Sequence, residues 1–256
     1  MVLKATLPKN QFKAEFAASR QRARRGIWMT MASATSAEIC AGSGADWLLF
    51  DGEHAPYTVA SLLDQLRAAS GYPMPLIVRP VETTAAHIKQ VLDLGAQNLL
   101  LPMVDTPEQA RAAMRAVRYA PRGIRGVGAS VARAGNWGRY TSYMEEAEAE
   151  LFVLLQIESR EALSHLDELL EVEGPDGFFI GPADLGASLG NPPAEELHAI
   201  VCDALGKIRA AGLVAGSLAF DDAVAEQYIA AGANFIATTA DSTLLVEALA
   251  AKFPER

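Results

Sequence analysis

Short runs of apolar residues recur along the chain at 26–30, 47–51, 76–79, 98–102, 151–157, 177–180, 213–217 and 234–237. Most are continuous rather than alternating, which predicts strands buried on both faces, as in an all-parallel sheet. Between them the apolar positions fall at helical spacing, over 36–42, 58–69, 84–94, 107–117, 160–170, 195–211, 221–231 and 242–252; a further helix over about 11–20 precedes the first strand. Eight strand–helix units over roughly 230 residues predict a closed (β/α)8 TIM barrel. The alternative is a doubly wound open sheet, but the first strand-to-helix turn, 29–35, has no GxGxxG dinucleotide fingerprint. The rhythm fails over 118–147, where Gly123, Gly126, Gly128, Gly135 and Gly138 interrupt any element. A long functional loop is expected there.

The 256 residues are half hydrophobic and no low-complexity linker divides them, so a single domain over 1–256 is expected. A formal net charge of −9 disfavours a nucleic-acid backbone or an anionic membrane as partner and leaves small molecules. Cys40 and Cys202 stand far apart on separate expected helices, as buried thiols of a reducing compartment. Residues 1–25 hold no continuous apolar signal-peptide core, and no stretch is long enough to span a bilayer; a cytoplasmic location is expected.

In such a barrel the chemistry lies at the C-terminal ends of the strands. Asp51-Gly-Glu-His54, Arg79, Pro102, Gln156, Glu158, Asp184, Ser217 and Thr238-Thr239 stand there. Glu158 and Asp184 close two consecutive strands, an arrangement that offers oxygen ligands to a hard divalent cation; capping of the following helices is their other use. The turn at 181–184 is expected to continue neither strand nor helix. His54 lies in a turn among carboxylates and is a candidate proton-transfer group. Arg79 can present a fork of donors to a carboxylate or a developing enolate, or form a buried ion pair with Asp51 or Glu53. The six lysines, Lys4, Lys9, Lys13, Lys89, Lys207 and Lys252, all fall in the N-terminal segment or on expected helices, so no Schiff-base lysine stands at a strand end. A phosphate-binding barrel would want glycine-rich turns after the seventh and eighth strands, which are absent. A catalytically dead barrel is disfavoured by the complete set of His54, Arg79, Glu158 and Asp184.

The segments LLFDGEHAP, IVRPVE, VLDLGAQNLLLPMV, APRGIRGVGA, LLQIESREAL and GFFIGPADLGASLG together resemble the HpcH/HpaI family of metal-dependent (class II) pyruvate aldolases, over about residues 26–250. The resemblance implies reversible aldol cleavage of 4-hydroxy-2-oxoacids to pyruvate or hydroxypyruvate and an aldehyde. It implies a divalent cation (Mg2+, Mn2+ or Co2+) on Glu158 and Asp184, His54 as acid/base with Asp93 raising its basicity, and Arg79 stabilising the enolate. Gln156, Ala183 and Asp184 fall at substrate-binding positions. It further implies a homohexamer in which the last helix is exchanged between neighbours. Apolar residues near the C-terminus, Tyr228, Ile229, Phe235, Leu244, Leu245, Ala248 and Leu249, are expected to supply surface for that exchange. A CoA-ester lyase of the citramalyl or malyl type is the alternative activity, although no basic cluster for the CoA phosphates is evident. The sequence leaves the aldehyde open; selectivity is expected from 118–147, Trp28 and the neighbouring subunit.

Overall fold

The computed structural model describes residues 5–19 and 22–254. In chain order the elements are α1 (Gln11–Ala18), β1 (Arg24–Met29), α2 (Ala34–Ala41), β2 (Trp47–Asp51), α3 (Val59–Ala69), β3 (Leu76–Arg79), α4 (Ala85–Asp93), β4 (Asn98–Leu101), α5 (Pro107–Val117), α6 (Tyr143–Glu146), a 3-10 turn (Ala147–Glu150), β5 (Phe152–Ile157), α7 (Arg160–Ser164), α8 (Leu166–Leu170), β6 (Gly177–Ile180), α9 (Pro182–Ser188), α10 (Ala194–Ala210), β7 (Val214–Leu218), α11 (Asp222–Ala230), β8 (Phe235–Ala240) and α12 (Asp241–Lys252). The strands pair in parallel in sequence order, and β8 returns to β1, closing the barrel. The expected (β/α)8 architecture therefore holds.

Why these elements form is visible locally. Thr58, Thr84 and Thr106 each accept a backbone N–H three residues on, capping α3, α4 and α5. Along the strands, alternate residues divide between two cores. Trp28, Trp47, Leu49, Ile77, Leu100, Phe152, Leu154, Phe179 and Phe235 fill the barrel's interior, while Leu48, Phe50, Val78, Val153, Leu155, Phe178 and Ile180 pack outward under the helices. Trp47 stacks on Phe235 with centroids 4.0 Å apart, and a Cβ at Gly26 would come within 2.1 Å of the Trp47 ring, so only glycine fits beneath that indole.

The N-terminal end of the barrel is stoppered by α1. Asn10 caps it and is itself tied to Asn98 Oδ1 at 2.8 Å and to the Glu150 carbonyl at 2.9 Å. Phe12 and Phe16 then enter the interior core against Phe152 and Phe235, the first residues of β5 and β8.

Several expectations need correction. The stretch 118–147 follows α5 and precedes β5, so it lies at the N-terminal end of the barrel, away from the strand C-termini, and within one chain it does not border the mouth. It packs there against the N-terminal segment and the end of α4, through Ala5 N–H to Arg139 O and Ala134 N–H to Asp93 O, both at 3.1 Å. The helix expected over 160–170 breaks at His165, and β8 runs through Thr238 and Thr239 to Ala240. Arg20, the expected end of the first helix, lies outside the described residues. Tyr228 and Phe235 are buried in the barrel and offer no surface, whereas Leu244, Leu245, Val246, Leu249 and Phe253 on and after α12 are exposed. Among the described residues no helix is long and apolar enough to cross a membrane.

Because Phe16 stacks on Phe152 at 5.3 Å and lies under the Arg24 guanidinium at 4.1 Å, its truncation leaves a hole in the interior core. Phe16→Ala is expected to cost about 3–5 kcal/mol. Urea unfolding of the two proteins measures it, and a loss below about 1 kcal/mol would show that α1 is an appendage rather than part of the core.

Candidate active site

Asp51 and Arg79 end neighbouring strands and are Cα partners across them. Both continue the inward parity of Trp47, Leu49 and Ile77, so their side chains enter the mouth from the interior side. Arg79 Nε and Nη2 donate to Asp51 Oδ1 and Oδ2 at 2.9 and 2.8 Å, a buried fork. Trp28 Nε1–H donates to Asp51 Oδ2 at 3.1 Å, and its ring lies 4.9 Å from the guanidinium carbon. Trp28 is thus buried as a support for this pair. Burial alone would raise the Asp51 carboxyl; the hydrogen bonds and charge of Arg79 outweigh it and hold the group below its ordinary value. The remaining amine, Nη1, lies 2.6 Å from Glu53 Oε2 and 3.5 Å from Gln156 Oε1. Arg79 is therefore ion-paired with both Asp51 and Glu53.

Gln156 and Glu158 share the inward parity of Phe152 and Leu154 and are both 2% exposed. Glu158 Oε1 accepts the Met103 N–H at 2.8 Å, and Oε2 accepts the Gln156 amide. Met103 holds φ at 53°, a left-handed backbone that a non-glycine residue adopts at a cost, and the next residue donates Val104 N–H to Gln156 O at 3.2 Å. The strained turn after β4 is hooked over the end of β5 and aims an amide at Glu158. Nothing in the sequence marks Met103 for this role. Burial, tempered by the Met103 bond and reinforced by the charge of Glu53, raises the Glu158 carboxyl to about 7.

Asp184 stands in a helix rather than in the irregular turn expected. Pro182 takes the first position of α9, where its missing N–H costs nothing, and Asp184 lies in that first turn, exposed. Its charge raises the carboxyls of both Glu53 and Glu158, so it lies within electrostatic reach of each. Ala183 is exposed in the same turn, whose amides no side chain caps. His54 is exposed above them, with Nε2 3.8 Å from Glu53 Oε2.

Asp93 is not brought to His54. Helix α4 runs antiparallel to the strands, so its last residue is at the opposite end of the barrel from the turn after β2. There the Asp93 carboxylate accepts from Arg125 at 3.1 Å, a guanidinium with no exposed side-chain surface, 4.6 Å from the Tyr119 ring and 5.5 Å from that of Tyr143. Glu53, expected at the mouth within Asp51-Gly-Glu-His54 and as an ion-pair partner of Arg79, also faces His54; its place two residues past an inward-facing strand end is the sequence signal for that second contact.

The donors suit a divalent cation of the open, catalytic kind. No ion pair to Glu158 forms among the described residues, and burial raises its carboxyl; a divalent cation would compensate the charge that the chain itself leaves unpaired. A Cβ at Gly181 would come 2.8 Å from Glu158 Oε2, so the glycine keeps the space beside that oxygen clear. Among the described residues no three His, Cys, Asp or Glu side chains are grouped to hold an ion; a cation on Glu158 and Asp184 would have to take its other ligands from outside these side chains.

Lys9, Lys13, Lys89, Lys207 and Lys252 are all away from strand ends, so an imine route has no candidate among the described residues. A closed parallel barrel carrying this mouth belongs with the enzymes that make and break carbon–carbon bonds on a (β/α)8 scaffold. The chain is a member of the HpcH/HpaI aldolase/citrate lyase family, whose sequence model matches residues 24–248. It is 54% identical over 227 residues to a 2-keto-3-deoxy-L-rhamnonate aldolase of Salmonella paratyphi B, covering 88% of this chain and 85% of that one. Among solved structures it resembles an HpcH/HpaI aldolase/citrate lyase family protein of Burkholderia cenocepacia (33% identity, TM-score 0.88, 95% and 98% of the two chains covered). It also resembles the citrate synthase SbnG (26% identity, TM-score 0.81, 94% of each chain).

In protein stripped of divalent cations, Glu158 titrates near 7 when folded against an ordinary 4.5 when unfolded. Between those values the folded state holds the extra proton, so stability falls as pH rises through the window and levels off above it. The loss is on the order of 2–3 kcal/mol. Denaturant unfolding with chelator at pH 5 and pH 8 should show this slope in the wild type and its absence in Glu158→Gln; equal slopes in the two proteins refute the assignment.

Proposed function

We propose that this chain catalyses reversible aldol cleavage of 4-hydroxy-2-oxoacids to pyruvate, or hydroxypyruvate, and an aldehyde. The observation that carries the reading is the placement of Arg79 Nη1, held at the mouth between Glu53, which also faces His54, and Gln156, whose amide donates to Glu158. The 54% identical relative directs the choice of substrate to 2-keto-3-deoxy-L-rhamnonate. Cleavage of that 6-deoxy acid between C3 and C4 leaves a methyl-bearing three-carbon aldehyde, lactaldehyde.

Glu158 and Asp184 would hold a divalent cation, Mg2+, Mn2+ or Co2+, which when bound supplies Lewis acidity to the carboxylate and ketone oxygens of a 2-oxoacid. His54 removes the C4 hydroxyl proton; the C3–C4 bond breaks, C4 becomes the aldehyde carbonyl, and the electron pair passes into the enolate of pyruvate. Arg79 donates to the oxygen on which that charge develops, at a position fixed in advance by Asp51 and Trp28. Gln156, buried beside it, orients the oxoacid, as do the open amides of the first turn of α9 at Ala183. Protonation at C3 completes pyruvate and returns the imidazole to its starting state. With purified protein, chelation by EDTA is expected to abolish lactaldehyde release from 2-keto-3-deoxy-L-rhamnonate, and Mg2+, Mn2+ or Co2+ to restore it. Full activity after exhaustive chelation would sink the scheme.

The active assembly is a homohexamer in this reading. The exposed residues Leu244, Leu245, Val246 and Leu249 of α12 are the surface one copy offers another, and they support exchange of that helix. If Asp93 serves His54, it does so from a neighbouring copy, since one chain holds the two at opposite ends. Light scattering is expected to give six times the 27.3 kDa chain mass; a monomer at working concentration excludes both the exchange and the Asp93 role.

A further inference from the structure

Glu53 has no part in the scheme above, yet it stands at its centre. Its side chain, 17% exposed, rises from the turn after β2, two residues past Asp51. The same oxygen, Oε2, lies 2.6 Å from Arg79 Nη1 and 3.8 Å from His54 Nε2. One carboxylate oxygen thus separates the guanidinium assigned to the enolate from the imidazole assigned to the hydroxyl proton. It is buried but makes no contact of hydrogen-bond geometry, whereas Asp51 takes two aligned bonds from the same arginine. Asp51 is a fixed support on a strand; Glu53 is a misaligned counter-ion on a turn.

Arg79 commits Nε and one N–H of Nη2 to Asp51, and Nη1 is the amine turned away from that fork, toward Glu53 and Gln156. An oxoacid oxygen directed at Nη1 therefore meets the Glu53 oxygen already there, and two negative oxygens on one amine repel each other. A carboxylate leaving Arg79 finds its nearest other cation in His54 at the moment the imidazole takes up the hydroxyl proton. Building on the aldolase reading, we propose that Glu53 is a positioning residue that exchanges partners. It occupies Arg79 Nη1 in the empty site, is displaced by the 2-oxoacid, and then holds protonated His54. The proton stays on the imidazole and no bond to Glu53 forms or breaks. The other charged groups at this mouth are Asp51, which accepts the His54 backbone N–H at 3.3 Å, Arg79, Glu158 and Asp184; none of them forms an ion pair with the imidazole.

The test uses the cation-loaded enzyme with 2-keto-3-deoxy-L-rhamnonate, measuring kcat and KM at pH 8, above the range in which Glu158 takes up its proton. Glu53→Gln replaces a charged competitor for Nη1 by a neutral one and removes the carboxylate from His54. KM is expected to fall about 3- to 10-fold while kcat falls about 10- to 100-fold. Glu53→Asp keeps the charge but shortens the reach to Arg79; it should lower KM and retain more of kcat than Glu53→Gln. A KM that rises in both variants makes Glu53 a structural support of Arg79 and overturns the exchange. Should Glu53→Gln not fold, a raised KM in Glu53→Asp overturns it alone. A wild-type enzyme that cleaves neither this acid nor any other 4-hydroxy-2-oxoacid defeats the aldolase reading itself, an outcome visible before any variant is compared.

Discussion

The fork between Arg79 and Asp51 sets the geometry of the mouth. A guanidinium is a useful donor to a developing enolate only if it does not have to be ordered at the moment of reaction. Here the ordering is done by the fold: β2 and β3 are in register at Asp51 and Arg79, Asp51 takes two of the arginine's donors, and Trp28 packs on its face while holding Asp51 from the other side. Removing either partner of such a pair leaves an uncompensated buried charge, at about 3–5 kcal/mol. Neither residue is therefore a purely chemical group, and loss of activity on replacing Arg79 mixes lost donation with a loosened mouth.

Much of this was legible because the site obeys the same parity as the core. Trp47, Leu49 and Asp51; Ile77 and Arg79; Phe152, Leu154, Gln156 and Glu158 are three series of inward positions whose last members turn from apolar to polar. A strand buried on both faces hides its alternation in composition, but the polar residues at its end disclose which face looks inward. Three strands, 47–51, 76–79 and 177–180, agree with the expected bounds, as does the helix over 107–117.

The failures have equally local causes. Gly181-Pro182 reads as a breaker, yet proline at the first position of a helix removes an N–H that would have been unpaired, so α9 begins where a stop was expected. The glycines of 118–147 do mark irregular chain, but its end of the barrel follows from counting: a segment leaving a helix and entering a strand lies at the strand's N-terminal side. The same count separates Asp93 from His54. What no count supplies is Arg125, whose pairing with Asp93 depends on a contact between residues 32 apart in sequence across irregular chain. Met103 is invisible for a similar reason, because its contribution is a backbone angle.

The charge at the mouth opposes an anionic substrate unless it is compensated. Arg79 and Asp51 cancel, which leaves Glu53, Glu158 and Asp184 facing the space where an oxoacid, itself an anion, has to enter. A like-charge pair about 4 Å apart costs on the order of 4 kcal/mol at an effective dielectric near 20, about a thousandfold in affinity. Two changes reverse this sign. Glu158, raised to about 7, takes up a proton near neutral pH, or the two carboxylates acquire a cation. These exclude each other, because the oxygen that would serve as a ligand is the one that would carry the proton. If Glu158 and Asp184 hold a cation as proposed, its affinity would weaken as pH falls below about 7, because the proton and the ion would compete for the same carboxylate. Gly181 and Met103 bear on that carboxylate directly: one keeps the space beside Glu158 Oε2 clear, and the other fixes Oε1 through a strained backbone amide.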